Sequence, residues 1–489
     1  MKRHQHVDLI AIAWEAMERF GFNPEFPKSL LHEVNTIQPA LRDRGTDTRD
    51  LRSLLWSSID NFDSMDLDQI EYCEEGNDGE VHVKIAIADV DAYVPKHSFA
   101  DQYAAHNGTS VYTGIVTFPM LPDHLSKGIT SLLPGQDCMA VVIEYDILPD
   151  GSTRPGSLYR AIVANKAKLI YEEVGEWLEG TREIPPPVSS LPGLEGQIRI
   201  QHEAAQRLRR HRMKHGALDL RTIEAEPVVE EGRVRDLVVQ RQDLARQVIE
   251  EFMVAANGTT VAYLEDAGLP MIERVVVTPK YWDGIVETAA KYGWKLPKKP
   301  DAKELSLFLD SERERDPETF PDLSLTIVKL MGPGEYIARD PHRKPVGHFA
   351  LAVTDYTHST APNRRYTDLI IQRLVKSVLD KQHCPYTYED LQEESAWLSD
   401  REKKSKKVER FMRKAAAAVL LHDRVGEIFE GFVTGASEKG TYVRLSTPPA
   451  EGKVMRGTKC LKVGQKVEVR LIHTDPRRGF VDFECMGHV

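Results

Sequence analysis

The chain has 489 residues, 41% of them hydrophobic and 28% charged. That balance belongs to a soluble globular protein too long for one ordinary core, so two or three domains are expected. No apolar run approaches the roughly 20 residues that span a bilayer, and Met1-Lys2-Arg3-His4-Gln5-His6 opens no signal-peptide core, so the expectation is a cytoplasmic protein without membrane contacts.

The net charge of −11 argues against a chain that coats nucleic acid non-specifically. The charge is unevenly spread, however. Residues 401–489 carry 19 Lys and Arg against 11 Asp and Glu, an excess of +8 that leaves −19 for residues 1–400. Contacts to a polyanion are therefore expected to be local. The five cysteines (Cys73, Cys138, Cys384, Cys460, Cys485) are scattered, with no C-x-x-C pair for zinc, and read as reduced.

Residues 1–45 read as a short helical module. Leu9, Ile10, Ile12, Ala13, Trp14, Met17 and Phe20 make an apolar face, Pro24 and Pro27 end the segment, and a second helix spans Ser29 to Val34. The module reads either as helix-turn-helix-like or as a plain packing extension.

The next segment, Ser58 to Asp68, places Asp60, Asp63, Asp66 and Asp68 within nine positions. Carboxylate oxygens are the ligands preferred by Mg²⁺ and Mn²⁺, and such crowding is relieved by a cation. A solvated acidic turn is the alternative. Strand patterning on both sides favours a fixed metal site, because Val81, Val83, Ile85 and Ile87 alternate with His82, Lys84 and Ala86. The spacing does not match a calcium loop.

Strands dominate from 46 to 170, with turns at Asn77-Asp78-Gly79 and Pro149-Asp150-Gly151. Pro185-Pro186-Pro187 reads as a loop, and Gln197 to Lys214 as a helix whose Arg207, Arg209, Arg210, Arg212 and Lys214 form a solvated face. Further helices are expected at 241–266, 281–292, 365–380 and 388–422. From Val425 to about Glu484, short strands separated by glycine turns fit a five-stranded OB barrel, a platform for single-stranded nucleic acid. Phe429, Phe432 and Tyr442 are candidates to stack bases, some of them necessarily core, and Lys453, Arg456, Lys459, Lys462 and Lys466 are candidates to meet phosphates.

Several motifs stand in one order: the acidic cluster, Ile85-Ala86-Ile87-Ala88-Asp89-Val90, Gly108-Thr109-Ser110-Val111-Tyr112, Pro119-Met120-Leu121-Pro122, Val248-Ile249-Glu250-Glu251-Phe252-Met253, and Thr357-His358-Ser359-Thr360-Ala361-Pro362-Asn363-Arg364-Arg365-Tyr366-Thr367-Asp368-Leu369. Together they resemble the ribonuclease II/ribonuclease R (RNB) family. The resemblance implies an α+β catalytic domain over 46–422 that encloses a channel, and an S-one-type OB domain over 423–489. It implies a processive exoribonuclease, working as a monomer with Mg²⁺ or Mn²⁺, that shortens single-stranded RNA from a free 3′ end and releases nucleoside 5′-monophosphates.

Matched residue by residue, Asp60, Asp66 and Asp68 fall on the family's metal-binding aspartates, with Asp68 catalytic. Arg364 falls on the arginine that acts at the scissile phosphate, and Tyr112 on the aromatic that packs against the terminal nucleotide. Glu409 resembles the acid that holds that nucleotide, and Arg365 and Tyr366 are expected to contact RNA. These roles make chemical sense, since a guanidinium offsets charge on non-bridging oxygens and an aromatic stacks on any base.

Three departures stand out. Gln69 occupies the place of a fourth aspartate, so one metal is expected to bind more weakly or through water. Thr360-Ala361-Pro362-Asn363-Arg364 alters the approach to the arginine. Only about 45 residues precede the catalytic domain, where the family carries two cold-shock-type domains, so RNA is expected to be admitted differently. A non-hydrolytic RNA-binding protein with a decayed metal site is the rival reading.

Overall fold

A computed structural model describes residues 7–488 apart from 40–47, 224, 231–232, 240–241, 277, 344–345, 354, 438–439 and 459–460. Lys459 and Cys460 lie outside the described residues.

The N-terminal stripe forms α1 (Leu9–Arg19), capped by Asp8, whose carboxylate accepts from Ala11 N at 3.0 Å. Its buried face of Leu9, Ile12, Ala13, Ala16 and Met17 packs on Val408, Met412, Ala415 and Ala416 of the long C-terminal helix. Helix α2 (Lys28–Asn35) adds Leu30 and Val34 to the main core. Both helices thus pack against the rest of the chain.

The strand-rich region gives β1 (Arg49–Asp50), β2 (Ser57–Asp60), β3 (Gln69–Glu75) and β4 (Val81–Ala88), then α3 (Phe99–Asn107), a two-stranded ribbon of β5 (Val111–Tyr112) and β6 (Thr117–Phe118), a π-helix at His124–Ile129, and β7 (Asp137–Ile147), β8 (Thr153–Ala164) and β9 (Ala167–Ile170). Seven of these strands form one mixed sheet in the order β1-β8-β7-β4-β3-β2-β9. The anticipated alternation in β4 is half right: its first four residues alternate buried and half-buried, and its last four are all buried. Strands covered on both faces lose the period of two.

Next come α4 (Tyr171–Leu178), α5 (Pro186–Ser190), α6 (Leu194–Lys214), the hairpin β10 (Ala225–Glu230) and β11 (Arg233–Val239), and α7 (Leu244–Asp266). Helices α6 and α7 pack against the sheet. The triple proline, expected to be a loop, opens α5, because proline's fixed φ and missing N–H suit a first helical turn. Three of the arginines of α6 prove to be paired, with Arg212 on Glu251 at 2.6 Å, Arg209 on Asp219 at 3.0 Å and Arg207 on Glu203 at 2.7 Å.

Strand β12 (Met271–Val275) leads to a helical cluster of α8 (Trp282–Lys291), α9 (Ala302–Arg315) and α10 (Phe320–Met331), and β13 (Glu335–Arg339) returns to pair with β12. Helix α11 (Tyr366–Leu379) and the long α12 (Tyr388–Leu420) complete this part.

The C-terminal segment is a closed barrel of β14 (Ile428–Ser437), β15 (Gly440–Leu445), β16 (Glu451–Arg456), β17 (Lys466–Asp475) and β18 (Phe480–His488), in the order β14-β15-β16-β18-β17. Ala417, Ala418 and Leu421 extend its core into the end of α12. A buried ion pair, Arg444 to Asp322 at 2.9 Å, ties β15 to α10. Phe429 is core, 6% exposed, which removes it from the stacking candidates, whereas Phe432 and Tyr442 are half-exposed. Among the described residues no helix is long and apolar enough to cross a membrane.

Candidate active site

Strands β2 and β3 pair only at Ser57 and Glu71, while β2 continues alongside β9 as far as Asp60 and Ile170. Beyond that rung the chain leaves the sheet, and the acidic cluster forms the loop that bridges the gap. The loop is fixed from several sides. Lys168 Nζ donates to the carbonyls of Phe62 at 2.8 Å and Ser64 at 2.5 Å. Ser131 Oγ donates to Met65 O at 2.6 Å and accepts from Leu67 N at 2.9 Å. Arg246 donates to Asn61 Oδ1 at 3.3 Å. Loop carboxylates held this way come to a ligand already oriented.

Asp68 is the innermost, 2% exposed. Its Oδ1 accepts from Asn363 N at 2.9 Å and its Oδ2 from Arg364 Nε at 3.2 Å, so the carboxylate loop meets the arginine turn 296 residues later in the chain. Burial pushes its carboxyl up to about 7, against the opposing pull of Arg364 and the Asn363 N–H. Asp66 is raised as well, mainly by burial, with Arg364 drawing it down and Asp60 pushing it up. The three carboxylates thus share one electrostatic neighbourhood.

The arginine turn is itself built by hydrogen bonds. Asp368 Oδ1 accepts from Ala361 N at 2.8 Å, and Arg364 O accepts from Ser110 N at 2.9 Å and Thr109 Oγ1 at 3.0 Å. Asn363, at the altered position of the motif, accepts from Thr130 Oγ1 at 2.6 Å while its backbone N–H serves Asp68. The Arg364 side chain keeps 44% exposure. Tyr112, one residue beyond Val111 on β5, is 43% exposed, and its hydroxyl makes a long contact of 3.4 Å to Asp66 Oδ2. Asp66 and Tyr112, and Asp68 and Arg364, are therefore brought together, with Asp60 acting on Asp66 through space.

Glu409 lies half-buried on α12, directly after Val408, which packs with Val111 of β5. Of two other expected RNA contacts, Tyr366 is turned inward and Arg365 keeps 25% of its side chain exposed. Tyr366 is 3% exposed and donates to Asp101 Oδ1 at 2.8 Å, with Arg373 beside it, so it is a packing residue and not an RNA contact. Arg365 is bonded to Asp368 by Nε at 2.8 Å and Nη2 at 2.7 Å; this bidentate pair holds the turn. Lys168, Ser131 and Arg246 escaped the sequence reading, since none carries a local signal; Lys168 and Ser131 act through the loop backbone and Arg246 through the Asn61 side chain. Phe62, 79% exposed, and Met65, 46% exposed, add apolar surface to the same loop.

Among the described residues, no three Asp, Glu, His or Cys side chains stand close enough together to hold an ion as they are placed. The donor chemistry nevertheless fits Mg²⁺ or Mn²⁺: hard oxygen donors only, carboxylates that raise one another, and Arg364 as the first cation acting on both Asp66 and Asp68.

Carboxylates beside a guanidinium, an exposed aromatic next to them and a five-stranded barrel in the same chain are the parts of a protein that acts on nucleic acid. The chain belongs to the RNB family of exoribonucleases. The RNB domain matches residues 48–381, and the RNase II-type exonuclease C-terminal S1 domain matches residues 427–485. Ribonuclease R of Thermotoga maritima is 30% identical over 94% of this chain and 68% of that relative. The fold is also that of Mycoplasma genitalium RNase R in complex with ribose methylated single-stranded RNA, with a TM-score of 0.87 at 23% identity over 98% of this chain and 78% of that one. Yeast Ssd1, a pseudonuclease, shares it at a TM-score of 0.72 and 15% identity, over 95% of this chain and 58% of that one.

Proposed function

We propose that the protein is a processive exoribonuclease that hydrolyses single-stranded RNA from its 3′ end with the help of Mg²⁺ or Mn²⁺. The observation that carries this reading is Asp68, buried and shared between the Asn363 N–H and the Arg364 guanidinium. Asp60, Asp66 and Asp68 would hold the divalent ions. Ions bound there supply an activated water and neutralise charge on the leaving oxygen.

The chain's own groups do the rest. The exposed Tyr112 ring stacks on the terminal base, an interaction indifferent to base identity. Glu409, on α12 beside β5, is an acid that would accept from a ribose 2′-hydroxyl, which distinguishes RNA from DNA. Arg364 meets the non-bridging oxygens as charge builds on them. Water adds to phosphorus, the P–O3′ bond breaks, and the leaving 3′-oxygen takes up a proton. The released nucleotide thus keeps its 5′-phosphate and the shortened RNA ends in a new 3′-hydroxyl.

One observation favours a second reading, a non-hydrolytic RNA-binding protein. Gln69 stands where the family has a fourth aspartate, and the carboxylates are not gathered into a closed cage. Both readings meet in one experiment with 5′-labelled single-stranded RNA and Mg²⁺. The nuclease shortens the RNA and its Asp68→Asn variant binds without shortening it; wild-type protein that binds and never shortens RNA is the second kind.

A further inference from the structure

The carboxylate loop and the arginine turn meet directly at Asp68, and they are joined a second time by three consecutive buried residues. Thr130, Ser131 and Leu132 follow the π-helix and are 2%, 0% and 1% exposed. Ser131 Oγ holds Met65 O and Leu67 N, and Leu132 N donates to Leu67 O at 3.0 Å. Both peptide groups between Asp66 and Asp68 are therefore bonded to this segment. Asn165 ties the segment to the sheet, its Nδ2 donating to Leu132 O at 2.9 Å and to Ser58 Oγ at 3.0 Å, two residues before Asp60 on β2.

Thr130 serves the other half. Its hydroxyl lies 2.6 Å from Asn363 Oδ1 and 2.8 Å from Leu125 O in the π-helix. Asn363 is 1% exposed and its Nδ2 has no partner, so the bond with Thr130 is the one its side chain makes among the described residues. The same residue gives its backbone N–H to Asp68 and stands directly before Arg364. The other bonds of the turn, with Asp368, Ser110 and Thr109, do not reach the segment that clamps the loop. A buried amide held by a single bond is costly to orphan, and displacing a reacting group by about 1 Å can slow an enzyme about 100-fold.

We propose that Thr130 is a positioning residue: by bonding Asn363 it sets the arginine turn, and with it Arg364, in register with Asp66 and Asp68. Ser131 and Leu132 hold the loop and Thr130 holds the turn, so one buried segment fixes the carboxylates and the guanidinium relative to each other. This deepens the proposed function and rests on it.

The test uses the full-length protein and 5′-labelled single-stranded RNA. It compares the single-turnover rate at saturating protein and Mg²⁺ with RNA affinity read by fluorescence anisotropy in chelator. Thr130→Val keeps the shape and removes the hydroxyl. It is expected to slow the saturated rate about tenfold or more while RNA affinity stays within about twofold, because the buried hydroxyl touches no RNA. Thr130→Ser keeps the bond and is expected to stay within about threefold of the wild-type rate. The double variant Thr130→Val/Asn363→Leu removes both polar partners together. It is expected to unfold in urea like the wild type yet to remain as slow as Thr130→Val, because apolar packing fills the space without aiming the turn. A Thr130→Val rate within about threefold of wild type, a Thr130→Ser rate as slow as that of Thr130→Val, or a double variant that regains rate together with stability overturns the inference. If Thr130→Val fails to fold, Thr130→Ser and the double variant decide it. Wild-type protein that never shortens RNA overturns the proposed function instead.

Discussion

Replacing Asp68 by asparagine should stabilise the metal-free protein at pH 8 and leave it nearly unchanged at pH 4. In the folded chain burial pushes the Asp68 carboxyl up to about 7, from an ordinary value of 3.8. Between those two values the folded state binds more protons than the unfolded state, so stability falls as pH rises through the window and levels off above 7. A difference of about 3 units corresponds to about 4 kcal/mol at 1.36 kcal/mol per unit. Asparagine is neutral throughout, keeps an oxygen for the Asn363 N–H, and avoids that loss. Asp66 is also raised and acts on Asp68, so the separation at pH 8 includes relief of the repulsion between the two carboxylates. Urea unfolding with a chelator present, at several pH values from 4 to 8, gives the two stability curves. They should converge at the acid end and separate by a few kcal/mol at the alkaline end. Parallel curves, or a variant less stable at pH 8, would show that Asp68 is not held against its charge and would undo the account of the site's electrostatics.

Three other substitutions probe separate parts of the structure. Tyr112→Ala should weaken binding of single-stranded RNA by about 1 to 3 kcal/mol through lost stacking, whereas Tyr112→Phe should stay close to wild type, because the 3.4 Å contact to Asp66 is weak; fluorescence anisotropy separates the two. Tyr366→Phe should cost about 1 kcal/mol of stability by unmaking the bond to Asp101, with RNA affinity unchanged; a large loss of affinity would return Tyr366 to the RNA-binding set. Asp322→Ala should strand Arg444 in the contact between α10 and the barrel, costing about 3 to 5 kcal/mol, visible as earlier unfolding or faster proteolysis of the barrel.

The sequence carries its information about this protein unevenly, for physical reasons. Long helices with a strong apolar period, such as α7 and α12, are legible within three residues at each end, since expected spans of 241–266 and 388–422 became Leu244–Asp266 and Tyr388–Leu420. The barrel strands show through their glycine turns. Helices α9 and α10 and the hairpin β10–β11 were not legible: α9 is charged at seven of its 14 positions, and only tertiary contacts with the cluster around Phe308 and Ile327 define its buried side.

At the site, the aspartates, Tyr112 and Arg364 were readable because motif order marks them. The groups that fix them were not. Lys168 and Ser131 act by bonding backbone carbonyls, a function any sequence position can serve. Tyr366 misled because adjacency to Arg364 suggests a shared surface, whereas successive residues entering α11 point in different directions, Tyr366 to Asp101 and Arg365 to Asp368.

The central claim is metal-assisted hydrolysis at the last phosphodiester of an RNA 3′ end. Its most direct test is a single-stranded RNA labelled at the phosphate between its last two nucleotides, incubated with the protein and Mg²⁺ and sampled within the first turnover. The account predicts that the label leaves as a nucleoside 5′-monophosphate, that the remaining RNA is one nucleotide shorter with a 3′-hydroxyl, and that Asp68→Asn prevents this. Label recovered as a 3′- or cyclic phosphate, or in internal fragments longer than one nucleotide, would contradict it.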